Sequence, residues 1–71
     1  MPHPIIRQIV NRCHVGDSNR TVIRYVVSRL RHGYATFHAL SREQRHILMR
    51  DAIEVHEANR QLYFRVMRGD L

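Results

Sequence analysis

From Ser41 to Met67 the chain reads SREQRHILMRDAIEVHEANRQLYFRVM, with neither proline nor glycine until Gly69. A stretch of this kind has one inexpensive conformation, a single long helix. Ser41 followed three residues later by Gln44 fits a capping box, the serine oxygen accepting a first-turn amide while the glutamine reaches back. Gly69 offers a left-handed exit. About 27 residues at 1.5 Å each make a rod of roughly 40 Å, and two shorter segments upstream are left to lie against it.

At 100° per residue, Leu48, Ala52, Val55, Leu62 and Val66 form one apolar stripe, interrupted at its centre by Asn59. Met49, Ile53, Phe64 and Met67 form a second strip beside it, with Arg60 among them. The two strips together span roughly 200°, wider than the ~100° face a peripheral helix needs. Arg50, Glu54, Glu57, Gln61 and Arg68 keep the other side polar, with Glu57 to Arg60 and Arg50 to Glu54 spaced for weak surface pairs. Either both strips pack on the upstream segments, or part of the face docks a second copy or another protein. A lone asparagine in an apolar seam fixes register and partner number at some cost in stability, so Asn59 points to a homodimer. Its interface would comprise Met49, Ile53, Asn59, Phe64 and Met67.

Seventy-one residues form one domain, near the size below which a core holds only with help. A single cysteine excludes an internal disulfide and favours an intracellular, cytoplasmic location. No apolar run reaches membrane-spanning length, and the MPHP start lacks signal-peptide form. Self-association is the remaining route to more buried area.

Upstream, Pro4 suits the first position of a helix, and Met1 to His3 are expected to be loose. Ile5, Ile6, Ile9, Val10 and Cys13 recur at helical spacing, so a helix is expected over 4–14, with Cys13 buried on it. Gly16 would end it, and Asp17 or Ser18 would cap the next. The segment NRTVIRYVVSRLRH is rich in β-branched residues, which favour strands. Yet Val22, Ile23, Val26, Val27 and Leu30 follow a period of 3.6, predicting a helix over 18–32 that stops at Gly33. Tyr34, Phe37 and Leu40, three apart, predict a helical turn near 35–39 that plugs the core. The expected fold is therefore all-α, a small bundle of three main helices over 4–14, 18–32 and 41–68.

Charge separates the halves. All twelve basic side chains are arginine. Residues 1–40 carry six of them against Asp17 alone, a balance of +5, whereas residues 41–71 carry six against five acids. Arg20, Arg24 and Arg31, with Ser28 between them, line one side of the second helix without an acidic neighbour. Such a stripe is commonly just a solvated face; the missing counter-charges favour an anionic partner.

The run Gly16-Asp17-Ser18-Asn19-Arg20-Thr21-Val22-Ile23-Arg24-Tyr25-Val26 resembles the turn and second helix of the helix-turn-helix family, often written G-V-S-x-x-T-V-x-R-x-L. Gly16, Ser18, Thr21, Val22 and Arg24 fall on the matching positions. The chain departs from the pattern at Asp17, where an apolar residue is usual, and at Arg12, where a small one is. The resemblance implies that the second helix enters the major groove and that Ser18, Asn19, Arg20 and Arg24 are the contact positions. Phosphate contacts would then come from Arg7, Arg20, Arg24 and Arg31, and base reading from Asn19 and Arg20.

Six histidines and one cysteine offer no ligand pair three or four apart on a helix, so no metal and no cofactor is expected. No phosphate-binding glycine loop or nucleophile elbow appears, and no carboxylate pair outside the helix surface, where Asp51, Glu54 and Glu57 read as solvated charges, so no catalytic residue is expected either. Two functional classes follow. One is a small regulatory protein that binds nucleic acid through its arginine-rich N-terminal half. The other is an inhibitor or adaptor, of the size usual for a bacterial or bacteriophage accessory protein, that docks a partner protein through the long helix.

Overall fold

The computed structural model describes residues 3–69 and contains three α-helices: α1 (Pro4–Val10), α2 (Asn19–Gly33) and α3 (Arg42–Arg68), with a 3-10 turn at Ala35–Ala39. This is the all-α bundle the periodicities predict. Met1 and Pro2 lie outside the described residues, but His3 is not loose. Its Nδ1 accepts the Ile5 amide at 3.1 Å, capping α1 just ahead of Pro4.

The first helix ends four residues earlier than the apolar spacing predicts. Asn11 still donates its amide to Arg7, but Arg12 and Cys13 donate to Ile9 and Val10, three residues back. The helix has tightened into turns, and Cys13 sits half-buried in the connection rather than on a helix. Asn11, the residue just past the end of α1, is also tied to α3 through a contact described below.

The second helix begins as expected. Ser18 caps it, its Oγ accepting the Thr21 amide at 3.2 Å. Val22, Val26 and Leu30 are buried, so packing on α3 overrides the strand preference of the β-branched run. Phe37 in the 3-10 turn is buried and closes one end of the core, with Leu40 half-buried beside it. Tyr34 remains exposed.

The long helix has both ends the sequence predicts. Ser41 accepts from Gln44 N–H at 3.1 Å, and the Gln44 side chain accepts from Ser41 N–H at 2.9 Å. Gly69 adopts φ 77°, the left-handed cap. α1 and α2 both pack on α3 and on each other. The core consists of Ile6, Ile9 and Val10 from α1, Val22, Val26 and Leu30 from α2, Phe37, and Ala52 and Val55 from α3. Ala52 has no exposed surface, and its short side chain lets the other helices come close.

The molecule measures 44 × 20 × 18 Å, so α3 runs well past the others. Every residue from Gln61 to Gly69 is exposed. The stripe of Leu48, Ala52 and Val55 is covered; its continuation through Leu62 and Val66 is not.

Candidate nucleic-acid interface

Burial of Val22, Val26 and Leu30 fixes the rotation of α2 about its axis. The opposite side then carries Arg20, Arg24 and Arg31, within roughly 40° of one another at 100° per residue. All three are exposed, and none has a hydrogen-bond or ion-pair partner among the described residues. From first to last they span eleven residues, about 16 Å along the axis. Arg7 on α1 is likewise exposed and without a partner among those residues.

Two other expected contact residues are engaged in the fold. Ser18 spends its hydroxyl on the helix cap and on Thr21 Oγ1 at 3.0 Å. Asn19 is half-buried, and its Oδ1 is buried without a hydrogen-bond partner. The exposed cationic set is thus Arg7, Arg20, Arg24 and Arg31. The connection from α1 to α2, residues 11–18, is longer than the three or four residues usual between the helices of a helix-turn-helix. Gly16 has open space around it and no left-handed φ.

That connection is held by three polar side chains of α3. His56, 1% exposed, lies with Nε2 2.7 Å from the Asp17 carbonyl oxygen. Arg60 donates from Nη2 to the same carbonyl at 3.0 Å and from Nε to the Val15 carbonyl at 3.3 Å. Asn59 donates from Nδ2 to Asn11 Oδ1 at 2.9 Å. At 2.7 Å from a carbonyl, His56 Nε2 must carry the proton and donate. The 3.2 Å approach of Arg60 Nη2 to that nitrogen is therefore a contact between two donors sharing one acceptor.

This clasp bears on two expectations and gives His56 its place. Asn59, expected at a seam with a second copy, is paired within the chain. Arg60, spaced for a surface pair with Glu57, turns instead to backbone carbonyls. His56 is a structural residue of the core edge. The sequence held a usable sign: positions 56, 59 and 60 lie within roughly 100° of one another on the helix, inside its apolar arc. Polar residues grouped at that spacing are suited to receive a chain reversal.

The remaining residues of the expected dimer strip divide. Met49 packs on the core and Ile53 is half-buried, while Phe64 and Met67 are exposed. Cys13 is held above the ordinary thiol range, first by burial and second by the nearby Asp17 carboxylate. Asp17 itself accepts the His14 amide at 3.2 Å, which tightens the turn.

An apolar recess of about 230 Å³ opens between the start of α1, the end of α2 and the 3-10 turn. Ile5, Ile6, Leu30, Phe37 and Leu48 line it, with His3, Tyr34 and Thr36 as polar side chains, and no carboxylate faces it. Above Phe37, the Arg45 guanidinium stacks 4.9 Å from the ring centroid. No group of three or more His, Cys, Asp or Glu side chains converges among the described residues. No helix among them is long and apolar enough to cross a membrane. No protein-family model matches this sequence, and no curated protein or solved structure matches the chain.

Proposed function

We propose that this protein is a small, non-enzymatic regulatory module that binds nucleic acid through the exposed side of α2. One observation carries the reading: three guanidiniums share a face of a helix that has no acid, and none of them has a partner among the described residues. Arg20 adds a physical argument. It lies in the first turn of α2, where the positive end of the helix dipole favours an anion and a cation costs a few tenths of a kcal/mol. A phosphate bound there reverses that cost. With Ser18 committed to the cap and Asn19 half-buried, backbone contact dominates and base reading falls to Arg20.

The test is binding of random-sequence duplex DNA at two salt concentrations. Each phosphate contact contributes about one unit to the slope of log affinity against log salt, so Arg20→Ala, Arg24→Ala and Arg31→Ala should each lower it by that amount. A triple variant that binds as tightly as the parent at low salt rules the face out. A second reading, an adaptor or inhibitor of another protein, is favoured by the uncovered apolar end of α3.

A further inference from the structure

We infer that the projecting end of α3, Gln61 to Arg68, is a self-association surface that pairs antiparallel with the same segment of a second copy. It rests on the projecting helix end alone and is independent of the nucleic-acid reading.

The segment is amphipathic in a definite direction. At 100° per residue, Leu62, Tyr63, Val66 and Met67 point to the side that buries Ala52, Val55 and His56 further up the helix, with Phe64 at its margin. Gln61, Arg65 and Arg68 occupy the opposite side. The apolar face therefore continues the core-facing stripe beyond the point where the rest of the chain covers it. Leu62 and Phe64 are each 52% exposed, Val66 55% and Met67 67%. Tyr63, at 44% exposed, is the most covered of the five.

A second copy supplies the cover. Two such ends laid antiparallel about Phe64 place residue 68 of one beside residue 60 of the other. Arg60 binds the Val15 carbonyl, so the partner's helix tip also reaches the level of that half-buried valine. A wide apolar arc is thus met by two surfaces. A fully buried large side chain contributes on the order of 150–250 Å². Five half-exposed ones then offer roughly 500 Å² per copy, about 1,000 Å² in a pair, the lower limit for a specific interface. A weak, concentration-dependent pair is expected at this size, although area alone does not set affinity.

Charge gives the pairing a signature. From Glu57 to Leu71, the stretch this register pairs, the sequence holds Arg60, Arg65 and Arg68 against Glu57 and Asp70. Two like-charged ends repel, and salt screens that repulsion, so added salt strengthens the pair. Binding to nucleic acid, an acidic protein or an anionic membrane has the opposite salt dependence.

The experiment measures the mass of the full chain by sedimentation from about 1 to 100 µM at low and high salt, spanning the affinities such an area supports. The expected result is a monomer–dimer equilibrium that moves toward dimer as salt rises. Phe64→Arg and Met67→Arg should each abolish the dimer while leaving the unfolding midpoint of dilute protein unchanged, since both residues lie outside the folded core. A parent that stays monomeric throughout the range overturns the inference, as does a dimer that survives both substitutions or weakens with salt. Open-ended assemblies, or a monomer that binds only anionic phosphatidylserine vesicles, also overturn it.

Discussion

Val55 and Val66 lie eleven residues apart on α3 and almost in line, yet one is 3% exposed and the other 55%. The first two-thirds of α3 and its last two turns share one apolar pattern and differ only in what lies over them. The pattern reports which side of a helix is prepared for burial. Whether that side is buried depends on the reach of the remaining chain. Here α1, α2 and their connection extend as far as Arg60. The helix continues because Gln61 to Arg68 holds no glycine or proline to stop it.

The sharpest way to break this comparison is to place the same charge at both valines. Val55→Asp should cost about 4 kcal/mol in denaturant unfolding of dilute protein, the scale for an unpaired carboxylate in a core. Val66→Asp should stay within about 0.5 kcal/mol. Similar losses at both sites would mean the projecting end is covered within a single chain.

Next in size is the clasp at the boundary between the two regions. His56→Ala leaves a cavity and removes one donor from the Asp17 carbonyl, for an expected loss of about 2–3 kcal/mol. Because Arg60 donates to the same oxygen, each single substitution leaves that carbonyl one donor, and the double variant with Arg60→Ala should lose more than the sum of the singles. Strict additivity would show that the two side chains do not share that acceptor in solution.

Asn59→Leu tests the placement of the asparagine. Read as a seam residue in an interface between copies, it should be replaceable with a gain in stability. Paired with Asn11, its loss should instead cost about 1 kcal/mol, and this cost should be independent of protein concentration. A variant more stable than the parent would restore the seam.

The smallest effect concerns Cys13. Its thiol is raised by burial and by Asp17, so the native state favours the neutral form. Stability from this group is present below the ordinary thiol range and is lost as pH rises through the raised value. Alkylation of Cys13 should therefore lag behind a free thiol near neutral pH, and Asp17→Asn should speed it slightly. A native rate equal to that of the unfolded chain would contradict the placement.

These contrasts also mark where sequence reading stops. The Ser41–Gln44 box, the Gly69 exit and the Ser18 cap are made by residues within a few positions of one another, so local spelling is sufficient. The three-residue rhythm of Tyr34, Phe37 and Leu40 likewise located the 3-10 turn. The end of α1 was not legible in the apolar spacing, which runs on to Cys13, and the Asn11–Asn59 contact there joins residues 48 apart. His56 gave no local sign of its role, since its acceptor lies 39 residues upstream. The arginine stripe of α2 was legible as a face from periodicity. The half-burial of Asn19 was not, since packing sets it, whereas the Ser18 cap already implied that its hydroxyl is spent.

The clasp also has a kinetic consequence. The contacts of Asn59, His56 and Arg60 with residues 11–17 each close a loop of about forty residues, whereas α2 and α3 form from neighbours in sequence. Closing such a loop loses chain entropy before any contact offsets it. Helical turns in α3 therefore precede docking of the connection during folding, and the reverse order applies on opening. α1 also buries Ile6, Ile9 and Val10 in the core, so a partial opening there requires loss of both the clasp and that packing. The amides of α1 should then exchange with solvent through a partial opening, well before the amides around Val26 and Ala52.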